Sequence, residues 1–378
     1  MDVNIQGLYA LEDRILGKGS FGTVYLGLDL SKDRYVSLKK IPSEIKADPQ
    51  KLQALSNEIL ISAGVDNENL VKILDLTDIG EKEDKYIVYE FCNGGDLRRY
   101  LRYFKRFDEK VVQYLMIQVL NGVNELHNKK IIHHDIKPEN VLVELHPFEI
   151  KDKGNINEKK QFEKEVDTIL QLTDKKRLNQ YNYNNDNNNE KNKEFVLNTL
   201  LKSRIKVSDF GLSKFKEDNN EKMLSGSPLY MDPNLFEPNV DIKTIENEKV
   251  DVWAIGIFAY ELFLGKRPFN SPQQSLKELI QVLKKGFYEI NLKECGKVSK
   301  QFLSFLNMCL QRQQKIRPNV GELMFSEFIT RDTSKFDYIT LDNFQMIKFP
   351  RPEYVNLNGK TIIMNIDDHR SINANFDY

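Results

Sequence analysis

Gly17-Lys18-Gly19-Ser20-Phe21-Gly22-Thr23-Val24 is a glycine-rich run, and glycines let backbone amides approach phosphate oxygens closely. The pattern alone also fits a dinucleotide-binding fold. That fold needs a helix opening at the third glycine, so that its N-terminus holds a pyrophosphate. Here Thr23-Val24-Tyr25-Leu26 reads as strand, which makes the run the tip of a strand–turn–strand flap over a triphosphate. Lys39 lies 17 residues past Gly22 in the strand-like Val36-Ser37-Leu38-Lys39, and Glu58 lies 19 residues further on. An ion pair between Lys39 and Glu58 would aim the ammonium at phosphate oxygens. The plainer reading of Lys39 is an exposed charge.

Those residues need a sheet and a helix to position them. Short runs of β-branched, aromatic and aliphatic residues mark strands near Leu11–Ile15, Thr23–Asp29 and Tyr35–Ile41, with a turn at Ser31-Lys32-Asp33. Pro49 to Gly64 reads as a helix, with Leu52, Leu55, Ile59 and Ala63 at helical spacing and Gly64 as a stop. Strand-like Val71–Ile79 and Tyr86–Phe91 follow, and Asn93-Gly94-Gly95-Asp96 breaks the pattern. From Leu97 the chain turns helical. Val111, Leu115, Gln118, Val119, Val123 and Leu126 stripe a long helix ending near His127, and Asp251 to Leu264 is apolar nearly all round, so it is expected to be buried.

An interruption spans about 146–204. Eight of the fourteen residues from Asn179 to Asn192 are Asn, too polar to offset the entropy of ordering them. Before that run, Phe162, Val166, Ile169 and Leu170 could line one face of a short helix. Looping out about 60 residues instead of about 5 costs only about 2 kcal/mol, so a folded domain can continue on both sides.

The 378 residues carry 55 Lys+Arg against 56 Asp+Glu, a net charge of −1, which argues against bulk electrostatic binding of nucleic acid. Forty per cent hydrophobic residues, with 22 Phe and 16 Tyr, exclude wholesale disorder. Cys92, Cys295 and Cys309 are too scattered for a disulfide framework or a cysteine zinc site. Met1-Asp2-Val3-Asn4 has no secretion signal, and the apolar stretch Trp253–Gly265 is too short to span a bilayer. An intracellular, cytoplasmic protein is expected.

The remaining motifs form an ordered set: His133-His134-Asp135-Ile136-Lys137-Pro138-Glu139-Asn140, then Asp209-Phe210-Gly211 after the interruption, then Gly226-Ser227-Pro228-Leu229-Tyr230-Met231, Asp251-Val252-Trp253-Ala254-Ile255-Gly256 and Arg317-Pro318. With the flap and Lys39, this set resembles a eukaryotic protein kinase catalytic domain of the Ser/Thr type, over about Tyr9 to Ile329. The resemblance implies an α+β, two-lobed fold: an antiparallel-sheet N-lobe with one helix at 9–92, and a larger, mainly helical C-lobe at 93–329. Within the C-lobe sits the Asn-rich insert at 146–204, and a tail follows at 330–378. Phe91-Cys92-Asn93-Gly94-Gly95-Asp96-Leu97 together with Gly226–Met231 looks most like the autophagy-initiating (Unc-51-like) kinases, with calcium/calmodulin-regulated kinases next.

The resemblance also implies roles. Phosphoryl transfer asks a protein mainly to position reactants and offset charge. Asp135 would accept or orient the attacking hydroxyl proton, and Lys137 would reach the transferring group. Asn140 and Asp209 would hold Mg²⁺, and Lys39 with Glu58 would hold ATP. Leu16, Gly17, Lys18, Gly19, Ser20, Gly22, Val24, Ser37, Tyr89, Glu90, Cys92, Asp96 and Leu142 would complete the ATP site. Of these, Glu90 and Cys92 offer backbone groups to adenine, Asp96 a ribose contact, and Tyr89 a ring guarding the pocket behind the base. His133 would pack near Phe210 while Asp251 fixes the loop backbone. Ser225 and Ser227 fall in the activation segment. Lys137 and Ser227 are the family's Ser/Thr-specific residue types, so the acceptor would be a serine or threonine of a protein.

Two positions depart from the family pattern. His134 replaces an Arg that pairs with an activation-loop phosphate, and a histidine with a pKa near 6.5 is a weaker, pH-dependent partner. Activity is therefore expected to depend little on loop phosphorylation. Asp232-Pro233-Asn234 stands where Ala-Pro-Glu is usual, which removes the carboxylate that normally pairs with the Arg matching Arg317. Asp232 is the residue that could supply it. An ATP-binding pseudokinase or scaffold is the alternative function, but it predicts loss of Lys39, Asp135, Asn140 or Asp209, and all four are present. The tail could dock back on the domain or bind a regulatory partner.

Overall fold

Alternating apolar and polar residues pair the first part of the chain into one sheet, as a computed structural model of the protein makes visible. The structure describes residues 4–6, 8–19, 22–79, 84–145, 156–174, 187–216, 226–236, 248–268, 278, 288–290, 297–340, 347–349, 353–357 and 360–364. Strands β1 (Asn4–Gln6), β2 (Tyr9–Gly19), β3 (Gly22–Asp29), β4 (Arg34–Lys40), β5 (Ile73–Ile79) and β6 (Asp84–Glu90) form an antiparallel sheet in the order β1-β2-β3-β4-β6-β5. The short β1, which pairs with the start of β2, adds a strand that the apolar pattern does not reveal. Helix α1 (Pro49–Gly64) has the bounds expected from its periodicity. The Asp48 side chain caps it by accepting from the amides of Gln50 and Lys51, and Pro49 opens it where a missing N–H costs nothing. Ile45, Leu55 and Ile87 bury the seam between α1 and the sheet.

The second part is helical: α2 (Leu97–Phe104), α3 (Glu109–Asn128) and, beyond an insertion, α6 (Glu248–Leu264). Asp96 caps α2 and Asp108 caps α3, each through a side-chain oxygen. Every residue of α6 from Lys249 to Phe263 is buried, as its all-round apolar sequence requires. The main core gathers Leu115, Val119 and Val123 of α3 and Ile255, Phe258 and Leu262 of α6. The result is the expected α+β architecture with a sheet lobe and a helical lobe.

The insertion between β7 (Val141–Glu144) and β8 (Arg204–Val207) holds two helices, α4 (Ile156–Leu172) and α5 (Asn187–Leu200). Ile169, Val196 and Leu200 are fully buried in the main core, with Phe162, Val166 and Phe195 packed against it. The last Asn residues of the polar run thus open a helix. Its stability comes from packing further along, at Phe195–Leu201, rather than from asparagine propensity. Residues 179–186 of the Asn-rich run lie outside the described residues.

The tail docks back in part. Phe336 joins the main core and stacks on Phe328 at 5.8 Å. Tyr338–Thr340 pairs with Lys297–Ser299, and Ile347–Phe349 pairs with Tyr288–Ile290. Among the described residues no helix is long and apolar enough to cross a membrane.

Candidate active site

The flap is where β2 turns into β3, and Gly19 pairs with Gly22 across it. Gly22 has φ +137°, and a Cβ there would sit 2.3 Å from the Lys40 carbonyl, so only glycine lets the flap lie this close to β4. A Cβ on Gly17 would meet nothing within 4 Å, which leaves that side of the flap open for a ligand. Val24, Ser37 and Leu142 are each half-buried. Leu16 and Lys18 of the flap are exposed, and Ser20 lies outside the described residues.

Val24 is directly opposite Lys39 in the sheet, which puts the lysine beneath the flap. The Lys39 ammonium lies 2.5 Å from Oε1 of Glu58, and both residues are buried. The pair inferred from a 19-residue spacing is therefore formed. The Tyr89 hydroxyl donates to the same Glu58 oxygen at 2.7 Å, a bond that sequence reading misses because it depends on how β6 faces α1.

After β6 the chain crosses to the helical lobe and is stapled to β7. The amides of Gly94 and Val143 donate to the carbonyls of Val143 and Gly95, and the Asn93 side chain bonds both the amide and the carbonyl of Leu145. The Glu90 amide donates to the Lys72 carbonyl, and its carboxylate is held by Lys206 at 2.8 Å. Cys92 is buried, which pushes its thiol pKa up and leaves it inert. Asp96 is occupied as the α2 cap and bridges to Leu142. Burial raises its carboxyl pKa, against the opposing effect of the Arg99 amide.

Asp135 is the centre of the second half of the site. Its Oδ2 accepts from the Lys137 ammonium at 2.5 Å and the Asn140 amide at 2.9 Å, and its Oδ1 accepts from the Ser227 amide at 2.9 Å. Lys137 also donates to the Ser227 hydroxyl at 2.8 Å. Burial pushes the Asp135 carboxyl upward, but Lys137 and Ser227 more than offset this and hold it below the ordinary range. It is an anion at neutral pH. Gly226 has φ +112° and sits so close to the loop that a Cβ would meet the His134 carbonyl at 2.4 Å. Ser225 lies outside the described residues.

Asp251 on α6 carries the loop. Its two oxygens accept from the amides of His133 and His134, both at 2.8 Å, and one lies 2.9 Å from Nε2 of His127. Burial raises its pKa, yet these partners bring it down to about 2. His133 packs edge-on to Phe210 at 5.7 Å, and its Nε2 lies 3.1 Å from the Ser208 carbonyl. That contact joins the Asp135 loop to Asp209, which is held in the left-handed region at φ 66°. The turn Phe210–Leu212 then packs on α1, so Asp209 is tied to the helix bearing Glu58. His134 also has φ 66°, and burial lowers its pKa to about 4, although part of its surface reaches solvent.

The Asn140 amide nitrogen is used within the loop, which leaves its carbonyl oxygen, together with the Asp209 carboxylate, as hard donors suited to Mg²⁺. Among the described residues no three His, Cys, Asp or Glu side chains converge as a metal cage. A Mg²⁺ that takes phosphate and water oxygens as well needs none.

The departure near residue 234 is compensated. Asp232 forms the buried ion pair with Arg317, both side chains being 0% exposed, and Gln314 adds a bond to Asp232 at 2.8 Å. Asn234 donates its side-chain amide to Asp232 at 2.7 Å and to the Arg312 carbonyl at 2.8 Å.

A family model described as the protein kinase domain matches residues 11–181 and 191–329. The chain is 27% identical over 332 residues to serine/threonine-protein kinase 33 of Bos taurus, across 87% of this chain and 56% of that protein. It is 26% identical over 326 residues to mitogen-activated protein kinase kinase kinase 2 of Arabidopsis thaliana, across 84% and 40%. It is also 26% identical over 322 residues to serine/threonine-protein kinase ULK1 of Homo sapiens, across 85% and 25%. The chain therefore spans little more than half, or less, of the length of these relatives.

Proposed function

Because the chain belongs to the protein kinase domain family, we propose that it is an active Ser/Thr protein kinase, which transfers the γ-phosphoryl group of Mg-ATP to a serine or threonine hydroxyl of a protein. The observation that carries this reading is the Asp135 carboxylate, an anion aimed by Lys137, Asn140 and the Ser227 amide. Asp135 receives or orients the proton of the incoming hydroxyl. Lys137, already bonded to both Asp135 and Ser227, faces the transferring group. Lys39 meets the phosphates from beneath the flap, held by Glu58. Asn140 and Asp209 would hold Mg²⁺, which would offset phosphate charge. Leu16, the flap glycines, Val24, Ser37, Glu90, Cys92, Asp96 and Leu142 line the nucleotide site.

The rival reading, an ATP-binding pseudokinase or scaffold, predicts loss of Lys39, Asp135, Asn140 or Asp209, and the chain keeps all four. We take the catalytic domain to be 9–329, with 146–204 as an insert and 330–378 as a tail open to a regulatory partner, and we expect the protein to work in the cytoplasm. Kinship with the Unc-51-like kinases rests on Phe91–Leu97 and Gly226–Met231. The similarity to ULK1 supports it, but at an identity that the other relatives share.

The test is peptide phosphorylation by wild type and Asp135→Asn, with phosphoamino-acid analysis of the product. Transfer to Ser or Thr by wild type, and a loss of about 10²–10⁴-fold in the variant, is expected. Equal transfer by both proteins overturns the assignment.

A further inference from the structure

Glu58 is held from two sides, and only one of its holders is the lysine. Ser37 and Lys39 point to the same face of β4, and Tyr89 on β6 is directly opposite Ser37. Tyr89 and Lys39 are thus diagonal neighbours on the sheet face that looks toward α1, within reach of one acceptor. Both use it: Oε1 of Glu58 takes the Lys39 ammonium at 2.5 Å and the Tyr89 hydroxyl at 2.7 Å. The other carboxylate oxygen, Oε2, is buried and has no hydrogen-bond partner. The outer face of α1 leaves Leu60 at 61% and Leu52 at 43% exposed. The contacts fixing its register against the sheet are therefore mostly on the Glu58 side.

We propose that Tyr89 is a positioning residue of the phosphotransfer site: its hydroxyl keeps Glu58, and with it α1, in place when Lys39 turns toward a nucleotide. The proposal rests on the kinase reading above. Lys39 must divide its three donors between Glu58 and the phosphates, whereas the phenol makes no call on a ligand. Burial, and then the charge and hydrogen bond of Glu58, push the Tyr89 pKa well above its ordinary value, so the hydroxyl remains a donor throughout the working pH range. The Ser62 hydroxyl, one turn on from Glu58, opposes that rise from the acceptor side of the phenol oxygen, which leaves the phenol's own proton to Glu58. The phenol is therefore committed to Glu58. A phenylalanine would fill the same pocket without that bond.

The experiment compares the full chain with Tyr89→Phe, Glu58→Ala and the double variant, using steady-state kinetics in ATP and hydrogen–deuterium exchange of α1. Tyr89→Phe is expected to lower kcat about tenfold, the order for losing one hydrogen bond to a charged acceptor, with KM for ATP changed less than about threefold. In the Glu58→Ala background the same substitution is expected to add less than about twofold, because its acceptor is gone. Exchange in 49–64 should quicken in Tyr89→Phe while that of β6 stays as in wild type. A kcat within about twofold of wild type together with unchanged α1 exchange overturns the proposal, as does a tenfold loss that persists in full without Glu58. If wild type itself transfers no phosphate, the kinase reading fails separately. The exchange measurement then decides the role of Tyr89: quickened α1 exchange upholds it and unchanged exchange refutes it.

Discussion

Replacing Asp232 with Asn tests whether a carboxylate two residues upstream has taken over a structural role. Arg317 is 1% exposed, lies 5.2 Å over the Trp253 ring, and donates to the carbonyls of Gln311 and Lys249 as well as to Asp232. Asp232→Asn keeps the shape of the side chain and an acceptor for Asn234, so it removes little besides charge. The guanidinium would then be buried with two carbonyls and no counter-charge, a situation that costs about 3–5 kcal/mol. Unfolding entropy near 2.1 cal/mol/K per residue over roughly 300 residues converts this to a drop in Tm of about 5–8 °C. Thermal unfolding by circular dichroism, with denaturant titration as a check, measures it. The double variant Asp232→Asn/Asn234→Glu returns a carboxylate at the family's usual position and should regain at least half of the loss. A Tm within about 1 °C of wild type for the single variant would refute the reasoning. So would a double variant no better than the single.

Three further outcomes are expected. His134 has its pKa lowered to about 4, so between about pH 6.5 and 4 the unfolded chain binds a proton that the folded chain does not. Its contribution to stability is intact above about pH 6.5 and falls by up to about 3 kcal/mol as pH drops to 4, a slope that His134→Gln should remove from urea titrations. Because His134 is neutral at pH 7, Ser225→Ala should keep activity within about threefold of wild type in the peptide assay, since a neutral ring gives a loop phosphate no charge to pair with. A loss beyond tenfold would contradict this. Leu200→Ala, in the second insert helix, should destabilise the whole domain by about 2–5 kcal/mol in chemical denaturation, because Leu200 is 0% exposed within the main core.

Much of this arrangement is legible from residue order, for identifiable reasons. The bounds of α1 follow from Pro49, an apolar stripe and Gly64, all local signals. The Lys39–Glu58 pair is legible because a strand and the next helix are neighbours, so a carboxylate on the inner face of the helix has few other places to go. The burial of α6 follows from apolarity on every side. What is not legible depends on distant juxtaposition. Tyr89 meets Glu58 only because β6 lies beside β4 in the sheet, an order that follows from pairing rather than from sequence. The helix beginning at Asn187 is hidden behind a polar run, because the residues that stabilise it, Val196 and Leu200, come after the low-complexity signal. Asp232 is legible as a substitute carboxylate for Arg317, but only the path of the chain from Met231 to Phe236 puts its oxygen on the guanidinium.

The central claim is that Lys39, Asp135, Asn140 and Asp209 surround one metal-bound nucleotide. Calorimetric titration of the wild-type chain and Asp209→Asn with ATP, each with Mg²⁺ and with EDTA, tests it most directly. Binding by wild type that is at least tenfold tighter with Mg²⁺ than without, and loss of that difference in Asp209→Asn, is the outcome this account requires. Absence of ATP binding by wild type, or a Mg²⁺ dependence that survives without the Asp209 carboxylate, would contradict it.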